Sequence, residues 1–170
     1  MHGDTSDWIA RRGIEWILIS IVVLVALSHV VPNSISIGHE ISRGKDHGNI
    51  ACWLIFILIV PLCGLLAYRM HDREYYIFSY PLTWFVPLSL VLMPTHYNDS
   101  VHIASAVSLF VLMISMCVFF MVRSDYAHLV KFKVAIIIFA CLLGFNGIGI
   151  TEKVLIIETS VSLYLVNRIV

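Results

Sequence analysis

The stretch of the chain that decides its fold is residues 102–122, which read HIASAVSLFVLMISMCVFFMV. It contains no Asp, Glu, Lys or Arg, and as a helix it is long enough to cross a hydrocarbon core of about 30 Å. Five further apolar stretches of similar length fill almost all of the remaining chain. We therefore predict an all-α polytopic membrane protein, a six-transmembrane-helix bundle that forms one domain over residues 1–170. The predicted spans are about 14–31, 50–68, 77–94, 102–122, 134–150 and 154–168.

The composition agrees with this class of protein. Of the 170 residues, 59% are hydrophobic and 13% are charged, whereas soluble domains have roughly 45–50% apolar and about 25% charged residues. The formal net charge is zero, so no basic surface indicates a nucleic-acid partner. The four cysteines are scattered singly inside predicted spans without CxxC spacing, which disfavours a disulfide framework.

The distribution of Lys and Arg predicts the orientation. Eight of these residues fall at the end of the bundle that holds the N-terminus, and three fall at the other end. By the positive-inside rule, both termini are expected in the cytoplasm, so we name these the cytoplasmic and the outer end. Charges between Arg123 and Lys133 are expected to be solvated, at the edge of the lipid. The cytoplasmic set is Arg11, Arg12, Arg69, Arg73, Arg123, Lys131, Lys133 and Arg168, and the outer set is Arg43, Lys45 and Lys153.

Histidines and carboxylates gather at the outer end, where five of the eight histidines lie. Imidazole and carboxylate are the ligands of zinc and other divalent transition metals, and they also serve general acid–base chemistry near neutral pH. Each of these histidines and acidic residues also has a plainer interpretation, as a helix cap or a solvated loop residue. The predicted metal ligands are His39, His96, Asp99 and His102, and the predicted catalytic residues, either of which would activate water, are Glu40 and Glu158.

Glu158 is the least ordinary of these residues. It lies about six residues inside the last predicted span, next to Ile156 and Ile157. A carboxylate at that depth is costly, so it is expected to face the bundle interior, either paired or protonated. Ser162, one turn further on, shares its helix face. A tight turn over Gly147–Lys153 is expected to precede this span.

Two stretches resemble a known family. Residues 93–106 read MPTHYNDSVHIASA and are similar to the Pro…Asp-x-x-His…Ala element of the bacterial and archaeal "domain of unknown function 998" membrane proteins, whose layout resembles the DRAM-like six-helix proteins of eukaryotes. Residues 149–168 are similar to the closing helix of that family. The resemblance implies a six-helix fold in a lipid setting, which for this chain suggests a prokaryotic inner membrane, and it implies no particular reaction. Glu158 has no counterpart in the family pattern.

Two classes of function fit these features. The first is an enzyme, a metal-dependent hydrolase or lipid-modifying protein with its site at the outer end. The second is a non-catalytic accessory subunit or lipid-binding component of a larger membrane complex, with membrane lipids and other membrane subunits as partners. Haem bound by His29 and His102 is disfavoured, because membrane cytochromes place their histidines deeper. A transport path through Glu158 lacks the support of a clear inverted repeat.

Overall fold

The computed structural model describes residues 3–27, 49–92, 100–143 and 148–169. These residues form six helices and no strand, which confirms the predicted all-α fold. In chain order the helices are α1 (Gly3–Leu27), α2 (Asn49–Asp72), α3 (Tyr76–Leu92), α4 (Ser100–Val122), α5 (Leu129–Leu143) and α6 (Ile148–Ile169).

The boundary between the last two helices differs from the prediction. The expected turn over Gly147–Lys153 is wrong from its second residue onward, because Ile148–Lys153 already belongs to α6. The prediction started the last span at residue 154, where its apolar run begins. The helix starts earlier, since residues such as Thr, Glu and Lys cost a helix at most about 0.7 kcal/mol each. Glu158 is therefore ten residues into α6, about 15 Å along the helix axis rather than near its start.

The helices pack as a bundle in which α6 holds a central place. It contacts α1, α4 and α5, while α1 also packs against α2, and α2 forms a hairpin with α3. Four residues of α1 belong to the buried apolar core, and they are Ile14, Leu18, Ile21 and Val25. Their spacing of three or four residues places them on one face of a helix. That face meets the buried apolar side chains of the other helices in one core.

The connection between α2 and α3 is a Schellman turn. The backbone N–H of Tyr75 donates to the carbonyl of Met70 at 2.8 Å, and that of Glu74 donates to His71 at 3.0 Å. These bonds satisfy carbonyls that the end of α2 would otherwise leave free. Glu74 takes the left-handed backbone conformation that this turn requires, with φ at 63°. The ring of Tyr75 then packs edge-on against Phe120 of α4, with the centroids 4.8 Å apart.

Many large apolar side chains lie on the outside of the bundle. They are most concentrated on α5, where Phe132 is 67% exposed and Ile138, Phe139 and Leu142 are also exposed. Over the residues that the structure describes, no helix combines the length and the apolar character needed to cross a membrane.

Candidate functional site

Glu158 lies in a buried polar cluster formed with Lys133 of α5 and Ser162 of α6. Only 9% of Glu158 is exposed, and its carboxylate is paired with the ammonium of Lys133. This carboxylate was expected to face the bundle interior, either paired or protonated. The structure confirms that it faces the interior and that it is paired. Ser162, four residues further along α6, shares its helix face as predicted. We call these three residues the polar triad.

The geometry of the polar triad satisfies its charged groups internally. The Nζ atom of Lys133 lies 2.8 Å and 2.9 Å from the two carboxylate oxygens of Glu158. It also lies 2.7 Å from the Oγ atom of Ser162, and that hydroxyl donates to Oε1 of Glu158 at 2.9 Å. All three ammonium hydrogens of Lys133 therefore have an acceptor.

The position of Lys133 corrects the prediction that it is a solvated charge. Only 3% of this residue is exposed, whereas Lys131, two residues earlier, is exposed. The reason is that α5 begins at Leu129, so Lys133 is already one turn inside the helix. There it lies on the face that meets α6, and Glu158 balances its charge.

The pairing can be understood from the helix bounds of the structure, which differ from the predicted spans. Lys133 lies ten residues before Leu143, where α5 ends, and Glu158 lies ten residues after Ile148, where α6 begins. In a hairpin of two antiparallel helices, residues at equal distances from the connection lie at the same depth. Two opposite charges in equivalent positions of adjacent apolar segments therefore predict a buried ion pair.

A cleft of about 360 Å³ borders the polar triad. It runs between α5 and α6, reaches Met121 of α4, and opens to the outside beside the exposed side chains of Phe132 and Val161. Apart from the polar triad, its lining consists of apolar side chains. These are Met121, Leu129, Phe132, Ile136, Val154, Ile157, Val161 and Leu165.

The chemistry of the polar triad favours binding over nucleophilic attack. A serine next to a lysine is a nucleophile only when the lysine is neutral and accepts the hydroxyl proton. Here Lys133 donates hydrogen bonds to Glu158 and to Ser162, and the Ser162 hydroxyl donates its own hydrogen to the carboxylate rather than to the lysine. One acceptor position stays open, because among the described residues Oε2 of Glu158 accepts a hydrogen bond from Lys133 alone.

The residues predicted for the outer end are for the most part beyond the described part of the chain. His39, Glu40, His96 and Asp99 all lie outside the residues that the structure describes. Among the residues that it does describe, no three His, Cys, Asp or Glu side chains form a group able to hold a metal ion. The predicted outer metal site stays a prediction.

Glu158 shares its cleft with the part of α4 that lies far from His102. His102 is two residues from the start of α4, whereas Met121, which borders the cleft, is 19 residues further along that helix. This corresponds to about 28 Å between His102 and Met121 along the axis of α4.

A second polar cluster, which sequence reasoning missed, lies at the cytoplasmic end. Arg69 of α2 is only 2% exposed. Its Nε donates to Asp7 of α1 at 2.9 Å, and its Nη1 donates to the backbone and side-chain oxygens of Asn167 in α6. Nearby, Glu15 of α1 pairs with Arg168 of α6 at 2.9 Å. These contacts join the ends of three helices, so their role is to hold the bundle together.

Partial burial acts to raise the pKa of Asp7, but this effect is outweighed. The hydrogen bond and positive charge of Arg69, together with the charge of Arg73, hold the pKa below its ordinary value of 3.8. The negative charge of Asp7 is thereby stabilised in the folded protein.

Comparison of the chain with protein families, curated proteins and solved structures found no match. The resemblance to the domain of unknown function 998 proteins therefore stays a prediction, carried by the quoted residues.

Proposed function

We propose that this chain is a multi-pass membrane protein that binds a lipid alcohol in the cleft beside the polar triad and does not catalyse a reaction on it. The observation that carries the proposal is a buried carboxylate with an open acceptor position on the lining of a cleft that is apolar apart from the polar triad. This proposal develops the lipid-binding alternative of the sequence analysis.

The surface of the bundle supports a membrane setting. The exposed face of α5 carries Phe132, Ile138, Phe139 and Leu142, and soluble monomers rarely expose contiguous apolar patches of more than a few hundred Å². Ion pairs between helices, such as Asp7 with Arg69, gather where α1 begins and α2 and α6 end. An apolar outer surface, together with an excess of Lys and Arg at the end that holds the N-terminus, is typical of a helical membrane protein whose orientation follows the positive-inside rule.

The lining of the cleft indicates the chemical class of the ligand. Its apolar walls fit a hydrocarbon chain, and Glu158 is the more accessible member of the ion pair. The carboxylate of Glu158, which accepts hydrogen bonds, is thus available on the lining of the cleft. A hydroxyl group donates one hydrogen bond to Oε2 without adding charge, whereas an anionic group would be repelled by the carboxylate.

The test compares two ligands that differ by one hydrogen-bond donor. We expect dioctanoylglycerol, which has a free hydroxyl, to bind the detergent-purified protein about tenfold more tightly than its acetylated analogue, since one hydrogen bond to a charged group contributes about 1.5 kcal/mol. Equal affinities would overturn the proposed hydroxyl recognition.

A matched pair of variants assigns the binding to Glu158. The double variant Lys133→Met with Glu158→Leu removes both charges and keeps similar volumes, a change that buried ion pairs often tolerate. We expect it to fold and to lose the preference for the free hydroxyl. The control is Lys131→Met, which removes an exposed lysine of the same helix and is expected to keep the preference. A preference that survives in the double variant would contradict the assignment.

The proposal that the chain is a membrane protein is tested separately, by carbonate washing and flotation. Membranes from cells that express the chain are washed with alkaline carbonate and floated on a density gradient. We expect the protein to float with the lipid, and recovery in the carbonate wash would contradict the membrane part of the proposal.

A further inference from the structure

A second groove lies between α2 and α3, and none of its lining residues belongs to the polar triad. Its volume is about 720 Å³. The small residues Gly64 and Ala67 line it, as do the hydroxyl residues Ser79 and Thr83. The remaining side chains that line it all carry rings, and they are Tyr68 and His71 of α2 with Tyr80 and Trp84 of α3.

The rings at one end of this groove form an ordered cluster. Tyr76 and Tyr80 are stacked, with their centroids 5.7 Å apart and their planes inclined by 20°. His71 meets both rings edge-on, at centroid distances of 5.2 Å and 6.3 Å. Further along the groove, 76% of Trp84 is exposed. The groove thus offers the exposed rings of Tyr80 and Trp84, and the ring centroid of Tyr80 lies within 6.3 Å of those of His71 and Tyr76.

No residue that lines the groove is an Asp, Glu, Lys or Arg. Among the charged groups close to the groove along the chain, Arg69 and Arg73 pair with Asp7, and the exposed Asp72 next to His71 is not part of the lining. The electrostatic character of the groove is therefore that of its rings, whose faces are electron-rich and attract cations.

We propose that this groove binds the quaternary ammonium headgroup of a choline lipid. A quaternary ammonium has no N–H donor, so it needs no carboxylate partner and is attracted by ring faces alone. A primary ammonium keeps three donors that the rings do not satisfy, and it therefore loses more in leaving water. An anionic headgroup finds no cationic side chain on the lining. This inference rests on the membrane part of the proposed function and is independent of the polar triad.

The direction of the groove fits a lipid. His71 lies next to the end of α2, at the cytoplasmic end of the bundle, and Gly64 lies seven residues earlier. This spacing corresponds to about 10 Å of helix. The ring cluster is thus at the level where headgroups lie, and the part of the groove that Gly64 and Trp84 line is at the level of the upper acyl chain, in keeping with the preference of Tyr and Trp for membrane interfaces.

The experiment measures lipid selectivity by native mass spectrometry of the full-length protein in detergent. The probes are phosphatidylcholine, phosphatidylethanolamine and phosphatidylglycerol with identical acyl chains. We expect the choline lipid to bind about tenfold more tightly than the ethanolamine lipid, as two or three ring contacts of about 0.5–1 kcal/mol each imply. Equal binding of the choline and ethanolamine lipids, or a preference for the glycerol lipid, would overturn the proposal.

Four substitutions identify the rings responsible. Tyr80→Leu and Trp84→Leu each remove an exposed ring, so we expect both to reduce the choline preference by about threefold or more. Tyr80→Phe keeps the ring face and is expected to retain the preference. Trp16→Leu removes an exposed ring of α1 that is outside the groove and serves as the matched control. A choline preference that survives both leucine variants would show that it arises elsewhere.

The experiments distinguish a failure of the choline proposal from a failure of the proposed function. The double variant of Lys133 and Glu158 is expected to keep the choline preference while it loses the hydroxyl preference. Loss of both preferences in that variant would mean that the groove does not bind independently. Failure of the flotation experiment would remove the membrane setting on which the choline proposal depends, whereas failure of the dioctanoylglycerol experiment would leave that proposal intact.

Discussion

Lys133 and Glu158 meet because they lie at the same depth on two adjacent helices. Lys133 is ten residues before the end of α5, and Glu158 is ten residues after the start of α6. The Nζ atom of Lys133 contacts both oxygens of the Glu158 carboxylate, at 2.8 Å and 2.9 Å. The pair therefore links α5 to α6 through a charged contact inside the bundle.

The first prediction concerns the stability that depends on this pair. Glu158→Leu leaves the ammonium of Lys133 buried without a counter-charge, so we expect it to lower the free energy of unfolding by about 3 kcal/mol. Lys133→Met is expected to have a similar effect. The double variant removes both charges and is expected to regain most of the loss. Reversible unfolding in mixed micelles measures all three.

An additive result would contradict this prediction. If the double variant loses as much stability as the two single variants together, the charges do not interact in the folded protein. Lys131→Met, which removes an exposed lysine of the same helix, is expected to change stability by less than about 0.5 kcal/mol.

The sequence predicted the helices better than it predicted the partners of their polar residues. Apolar runs predicted the six helices that the described residues form, because each run is long enough to form a helix. The depth of Glu158 within its run predicted its burial. Lys133 was misplaced because a basic residue near the end of an apolar run is normally solvated, and only the equal spacing on either side of the α5–α6 connection indicates otherwise.

The cluster around Arg69 could not be predicted from local sequence. Its partners Asp7 and Asn167 are 62 and 98 residues away along the chain. The positive-inside rule treats such an arginine as a sign of orientation and contains no information about its contacts. The burial of Arg69 follows from the packing of α1, α2 and α6, which depends on the whole bundle.

The second prediction concerns pH and the carboxylate of Asp7. Because its pKa is lowered from 3.8 in the folded protein, the interaction of Asp7 with Arg69 stabilises the fold fully above that value. This stabilisation is lost as the pH falls through the lower folded pKa, where Asp7 becomes protonated. We expect the melting temperature of the native protein to fall more steeply below about pH 4 than that of the Asp7→Asn variant.

The comparison of the two proteins isolates Asp7 from the other carboxylates. Both proteins contain Glu15 and the remaining acids, so the difference between their melting temperatures reports Asp7 alone. It is expected to be largest at neutral pH and to shrink as the pH falls below about 4. A difference that stays constant across this range would show that the charge of Asp7 does not stabilise the fold.

The third prediction concerns the turn between α2 and α3. Glu74 has a φ of 63°, a conformation that costs a residue with a Cβ atom about 1 kcal/mol and costs glycine almost nothing. We expect Glu74→Gly to raise the free energy of unfolding by up to about 1 kcal/mol. Glu74→Ala keeps the Cβ atom and serves as the control, with no increase expected. A similar gain in both variants would mean that the glutamate charge, rather than the backbone, causes the strain.

The last prediction concerns the outer end of the bundle and the interpretation of the chain as a metal-binding protein. Four residues, His39, His96, Asp99 and His102, form the donor set that zinc and other divalent transition metals prefer. If they converge, elemental analysis of protein purified without chelators or a histidine tag is expected to find about one metal ion per chain. His102→Ala is expected to lose it, since a tetrahedral site does not retain its affinity after losing a ligand.

The matched control for this measurement is His128→Ala, because His128 is an exposed histidine beyond the other end of α4. Metal that persists in the His102 variant but disappears in the His128 variant would place the binding site at the cytoplasmic end. Metal-free native protein would instead assign the outer histidines to helix capping and the surface. In that case the proposed binding of lipid depends only on the polar triad and on the groove between α2 and α3.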